Sequence, residues 1–209
     1  MSELLSWELK QTNNYFAPKF SIKMWEDKIS ESLIDDVIAV VIAHELDGWF
    51  DNDQWEHYNV FKWDFPCIRE LNDIIKQSYE NFCAATHIPT EKLWIRGWVY
   101  PQKRGMKLDR HVHALHENSY LSGNLCLSQN DTTTDYDVPY IGWVKIKNER
   151  GKMIIFPSCL PHAADELQED SRYTLAFDLV TEEGMNYFWD HNANEFDPLI
   201  LAKRGFFKD

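Results

Sequence analysis

The stretch DRHVHALHENSYLSGN, Asp109 to Asn124, holds three of the chain's eight histidines, His111, His113 and His116, within six residues. Imidazole is the commonest metal ligand at neutral pH. His111 and His113 stand two apart, and on a β-strand that spacing sends both rings to one face, where they can share an ion. His116 falls out of that phase, in ALHENS, which reads as the turn before the next strand. An isolated HxH fits surface or hydrogen-bonded core histidines equally well. A second feature changes the balance. His162 lies in FPSCLPHAADE, directly after the apolar run MIIFPS, and Arg172 follows ten residues later in SRYTLAFD. A strand, a turn carrying one histidine and a return strand carrying one arginine read as a hairpin-like unit. The competing reading of Arg172 is an ordinary ion pair to Asp165, Glu166, Glu169 or Asp170.

The elements that must position these groups fall into two parts. Ser30 can cap a helix whose stripe is Leu33, Ile34, Val37, Ile38, Val41 and Ile42, ending near Gly48. A second helix opens at Pro66, suited to a first turn, and runs through Ile68, Leu71, Ile74, Ile75, Tyr79 and Phe82. The aromatic-rich stretch between them reads as irregular. From residue 91 the period becomes two: KLWIRGWVY, SYLSGNLCLS, YIGWVKIKN, GKMIIFPS and SRYTLAFDLV are strand-like, and QNDTTTDYD and NERG read as turns. Helices followed by short strands predict a mainly β fold with N-terminal helices, an antiparallel barrel or sandwich carrying the helices on one face. A single domain over 1–209 is expected: a helical support region at 1–90, the β core at 91–180 and a C-terminal extension at 181–209 packing on that core.

Composition narrows the function classes. With 34 acidic against 21 basic residues the formal charge is −13, which repels phosphate backbones and anionic membranes, so neither nucleic acid nor a membrane is an expected partner. The opening MSELLSWELKQTNNY lacks the pattern of a signal peptide, and the longest apolar run, Val37 to Ala43, is too short to span a bilayer. Four cysteines, Cys67, Cys83, Cys126 and Cys159, form no CxxC pair and read as free thiols of a reducing compartment. A cytoplasmic location is the expectation.

Taken with their order, WVY (Trp98 to Tyr100), HVH (His111 to His113), LSGNLCL (Leu121 to Leu127), GKMIIFPSCLPH (Gly151 to His162) and SRYTLAFD (Ser171 to Asp178) make the chain resemble the Fe(II)/2-oxoglutarate-dependent dioxygenases. The likeness is nearest to an oxygenase group of marine phages and bacteria with an HxH…FPSxLxH…R pattern, and covers roughly residues 94–180. The resemblance implies a double-stranded β-helix, a cupin-like jelly-roll barrel whose open end holds iron. It implies His111 and His162 as iron ligands, and Arg172 as the salt-bridge partner of the far carboxylate of 2-oxoglutarate. Thr174, on the same strand face, would add a hydroxyl to that carboxylate. Tyr100, standing where relatives carry asparagine, would contact cosubstrate or substrate, or simply pack. Such enzymes take Fe(II), 2-oxoglutarate and O₂, and hydroxylate C–H bonds of small molecules or peptides.

The chain departs from the commonest HxD or HxE pattern at His113. Several assignments stay open: His113 as the third ligand, the favoured one; water or an anion there with His113 behind it; a carboxylate from Asp109 or Asp165; or His116 replacing a neighbour. Two other functions compete with the hydroxylase. One is a cupin-like three-histidine metal dioxygenase that needs no 2-oxoglutarate, and the other is a non-catalytic ligand-binding β-barrel. Trp98 and Trp143 are candidate pocket walls; His44, near the end of the first helix, reads as an interfacial residue or a helix C-terminal cation, and His57, His87 and His191 have no partner at ligand spacing.

Overall fold

Alternation of side chains builds two antiparallel sheets, which a computed structural model describes through residues 2–9, 20–46, 59–113 and 120–184. The first sheet has six strands in the order β1-β2-β8-β5-β10-β3, formed by β1 (Glu3–Glu8), β2 (Ser21–Lys28), β3 (Leu93–Lys103), β5 (Leu121–Cys126), β8 (Lys152–Pro157) and β10 (Ser171–Thr181). The second has four, in the order β4-β9-β6-β7: β4 (Leu108–His111), β6 (Thr133–Val138), β7 (Gly142–Lys147) and β9 (His162–Ala164). Helices α1 (Glu31–Leu46) and α2 (Pro66–Thr86) complete the described elements, with one 3₁₀ turn at Val60–Lys62.

The six-stranded sheet is covered on both faces, and its period-two pattern divides its residues between two cores. Leu93, Ile95, Val99, Leu125, Met153, Ile155, Leu175 and Phe177 pack with Leu33, Ile34 and Val37 of α1 and Ile68, Leu71 and Ile75 of α2. The opposite face contributes Met24, Ile154 and Phe156, which meet Tyr136 and Val138 of the four-stranded sheet together with Leu160. Each such aliphatic or aromatic side chain contributes about 1.5–3 kcal/mol on burial, so both layers hold the central sheet rigid. Gly123 marks one tight place, since a Cβ there would fall inside the ring of Phe177.

Ser30 accepts from the backbone N–H of Leu33 at the start of α1, and Pro66 opens α2 as its sequence predicts. His87 closes α2 in the left-handed conformation, φ 58°, which accounts for that histidine without a ligand role. Two expectations are corrected. The region before residue 90 is more than helical: β1 and β2 form a hairpin that joins the main sheet through β8. Residues 129–137 are also more than a turn, because Thr133–Val138 is β6, paired with both β7 and β9. Its polar side chains are satisfied within the sheet, Thr134 by Asn148 and Asp135 by Lys145, so turn-like composition there is compatible with a ladder. No described helix is long and apolar enough to cross a membrane, and the four cysteines are free. His57, His116, His191 and the 185–209 extension lie outside the described residues.

Candidate metal centre and carboxylate pocket

Strand register brings the first two histidines together. His111 at the end of β4 lies directly across from His162 at the start of β9, with an irregularity in the ladder between Leu108 and His111. β4 ends at His111, so His113 is past the strand, but its backbone N–H donates to Ser158 O at 3.1 Å and returns the ring to the same place. Ring centroids lie 5.3 Å apart for His111 and His113, 4.2 Å for His111 and His162, and 5.1 Å for His113 and His162. The three prospective ligand nitrogens all fall within 4.8 Å of one another. Among the described residues, no carboxylate joins this group. Asp109 is exposed and paired with Lys107, and Asp165 pairs with Lys145, which removes both as ligand candidates in this arrangement.

Each ring has its Nδ1 engaged away from the centre. His111 Nδ1 lies 2.8 Å from Asp109 O, His162 Nδ1 is 3.2 Å from Leu160 O, and His113 Nδ1 is 2.7 Å from Asp178 Oδ1. A carbonyl or carboxylate oxygen can only accept, so each contact places a hydrogen on Nδ1, and Nε2 is the nitrogen that remains for an ion. The donor set of three neutral imidazoles suits a first-row divalent metal such as iron or zinc.

Burial lowers the proton affinity of two of these rings. Desolvation, reinforced by the neighbouring rings of His111 and His113, pushes His162 down to about 3, and burial also lowers His111. Neither then has to shed a proton at neutral pH to bind a cation. Burial works the other way on Asp178, but His113, the Ser122 hydroxyl and the charge of Arg96 outweigh it and hold that carboxyl below its ordinary range.

A pH dependence follows. An unfolded histidine takes a proton near 6.5, whereas folded His162 resists until about 3. Between those values the unfolded chain binds more protons, so this contribution to stability is full above pH 6.5 and is lost as pH falls toward 3. The loss should reach roughly 3–5 kcal/mol. Urea denaturation of metal-free protein at pH 7, 5 and 4 measures it, and a midpoint that does not move would show that His162 is not held neutral.

The cavity beside the histidines is about 360 Å³ and is also lined by Arg172, Thr174 and Tyr100. All three face it because β10 and β3 pair antiparallel with Arg172 opposite Gln102, Thr174 opposite Tyr100, Ala176 opposite Trp98 and Asp178 opposite Arg96. Arg172 is only 3% exposed. Its Nη1 donates to Thr132 Oγ1 at 2.6 Å, its Nε has no partner, and it forms no ion pair among the described residues. The ion pairs of the competing reading, to Asp165, Glu166, Glu169 or Asp170, are not made among the described residues, although the charge of Glu169 acts on the guanidinium. Opposite it, the amide of Gln102 is 1% exposed with neither polar atom partnered. A buried guanidinium beside an unpaired amide is costly when left alone, and a carboxylate could accept from the guanidinium and from the amide Nε2–H, though not pair with the amide oxygen.

Trp98 lines the cavity with Phe156, Ala164 and Ala176, but Trp143 does not, since it is half exposed on the edge strand β7. Asp178, which lines the cavity and contacts His113, is the residue of this site that sequence spacing missed. It lies on the face already carrying Arg172 and Thr174, and that phase was the available signal.

No family model matches the chain, and no curated protein matches it. Solved structures do. A Pseudomonas putida prolyl-4-hydroxylase superposes with TM-score 0.60 at 11% identity, over 76% of this chain and 88% of that one. The viral collagen prolyl hydroxylase of Paramecium bursaria Chlorella virus-1, solved as a 2-oxoglutarate complex, gives 0.54 at 15% identity over 76% and 96%. The α-ketoglutarate-dependent carbocyclase SnoK of nogalamycin biosynthesis gives 0.56 at 11% over 76% and 79%. The chain shares their fold. Within that shared fold, its own side chains supply a three-histidine group and a buried arginine in one cavity.

Proposed function

We propose that the chain is an Fe(II)- and 2-oxoglutarate-dependent oxygenase that hydroxylates a C–H bond of a small molecule or an amino-acid residue. The single observation that carries this reading is the cavity lined both by His111, His113 and His162 and by Arg172, a buried cation that makes no ion pair among the described residues and whose Nε has no hydrogen-bond partner there. The two sheets then correspond to a double-stranded β-helix in a single cytoplasmic domain, of the kind found in the HxH…FPSxLxH…R group of phage and bacterial oxygenases.

In this reading the three Nε2 atoms hold the ion, with each ring oriented by its own Nδ1–H contact. Arg172 makes a bidentate, charge-assisted contact with the far carboxylate of 2-oxoglutarate. Thr174 contributes its hydroxyl to the same group, and Tyr100, directly across from it, walls the cosubstrate from the strand side. Trp98, Phe156, Ala164 and Ala176 keep water from the reacting centre and leave an apolar seat for the substrate's C–H bond. Bound iron and 2-oxoglutarate supply the chemistry, in which O₂ is consumed as the keto acid is decarboxylated to succinate and one oxygen atom enters the substrate.

A three-histidine dioxygenase without a keto acid has no use for Arg172, and a non-catalytic barrel has no use for three outward-anchored imidazoles. Anaerobic addition of Fe(II) and then 2-oxoglutarate should give a weak visible absorption band, and admission of air should yield succinate. A protein that binds iron yet shows neither the band nor succinate is not an oxygenase of this class.

A further inference from the structure

Two of the three rings are oriented by neutral backbone carbonyls, Asp109 O and Leu160 O, whereas His113 alone is oriented by a carboxylate. That carboxylate is itself fixed. Ser122 Oγ donates to Asp178 Oδ1 at 2.7 Å, Ser122 Oγ lies 2.9 Å from Ser158 Oγ, and Ser158 O accepts the backbone N–H of His113 at 3.1 Å. The chain of contacts from His113 through Asp178, Ser122 and Ser158 back to His113 is closed. It spans three elements: β10 gives Asp178, β5 gives Ser122, opposite it in register, and the turn after β8 gives Ser158.

We propose that Asp178 is a positioning residue for the metal centre. It holds His113 as the Nδ1–H tautomer with Nε2 toward the ion, and it returns, one hydrogen bond removed, the negative charge that a two-histidine-one-carboxylate site places on the metal itself. The inference rests on the metal reading above. His113 occupies the position of the usual carboxylate ligand, and the only carboxylate contacting any of the three rings, among the described residues, stands directly behind it. A carboxylate accepting from a ligating imidazole fixes the ring and raises its donor strength, an effect that typically changes metal affinity 10–100-fold. The closed contact chain supplies rigidity. Asp178 cannot rotate away without breaking its bond to Ser122, nor can the 113 backbone shift without losing Ser158.

Asp178→Asn keeps the shape and removes the charge, while Ser122→Ala keeps the charge and loosens its support. Full-length protein is titrated with Co(II) under calorimetry and visible spectroscopy, and the metal-free protein is labelled with ¹⁵N-histidine for tautomer assignment. Expected are an Nδ1–H signal for wild-type His113, a mixed or reversed tautomer in Asp178→Asn, and Co(II) affinity about 10–100-fold weaker, with a smaller loss in Ser122→Ala. A purely structural role would lower melting temperatures while leaving the Co(II) affinity and spectrum of the folded protein at wild-type values, and that result overturns the proposal. If Asp178→Asn does not fold, Ser122→Ala decides it by the same readouts, an unchanged tautomer and affinity being the overturning outcome. Wild-type protein that binds no Co(II) removes the metal reading itself, a failure distinct from variants that bind as well as wild type.

Discussion

Replacing Arg172 with alanine is expected to weaken 2-oxoglutarate binding by roughly 30- to several-thousand-fold, while metal affinity stays near wild type. The range is the cost of removing one partner of a buried, hydrogen-bonded charge pair, about 2–5 kcal/mol. Arg172 supports this scale because it is buried, with Nε unpartnered and only a threonine hydroxyl on Nη1. Truncation also leaves a hole beside Thr132, so Arg172→Lys is the useful companion. It keeps a cation but loses the planar fork, and should bind more weakly than wild type and better than alanine. Calorimetric titration of 2-oxoglutarate into Ni(II)-loaded protein measures the effect without turnover. Equal affinity for wild type and both variants would remove Arg172 from the cosubstrate site and favour a three-histidine enzyme that needs no keto acid.

His162→Ala should act on the other half of the cavity. Structural metal sites with four ligands bind with apparent free energies of about 10–16 kcal/mol, or about 3 kcal/mol per ligand, so losing one of three imidazoles should weaken Fe(II) or Co(II) binding by roughly 100-fold or more. His162 is the most deeply buried of the three, and its ring packs 4.8 Å from Phe156 and 5.8 Å from Tyr136. The alanine variant therefore carries a second signature. Metal-free His162→Ala should lose much of the stability change between pH 6.5 and about 3, because the group responsible is gone. Retained metal affinity together with the lost pH dependence would mean that His162 is a neutral core histidine, packed near the site without serving it.

Much of this arrangement was legible in the sequence, for identifiable reasons. Both helices carried start signals, Ser30 and Pro66, that act through local backbone hydrogen bonding and sterics. β3, β5, β7 and β10 carried alternating patterns, and β8 carried the continuous apolar run of a strand buried between two cores. β1 was missed because it is an edge strand with most of its side chains exposed, so one face was never forced to be apolar. β6 was missed because Thr and Asp, with Asn130 just before them, are turn formers by their local hydrogen bonding, and only tertiary partners such as Asn148 and Lys145 show them satisfied in a ladder. In the site, His111, His162 and Arg172 are separated by spacings that a resemblance can register. The His113–Asp178 contact joins residues 65 apart and depends on where the chain turns after β4 ends, which no local pattern encodes.

The placement of the three histidines has a mechanical side. His111 and His162 belong to the four-stranded sheet, while His113 is tied through Asp178 and Ser122 to the six-stranded one. An ion held by all three would add a clasp between the two sheets, beside the apolar packing of Phe156, Tyr136 and Leu160 and the hydrogen bond from Asn124 Nδ2 to Tyr136 Oη. Loading the metal would then do more than equip the cavity: it would tie the opening of one sheet more tightly to that of the other.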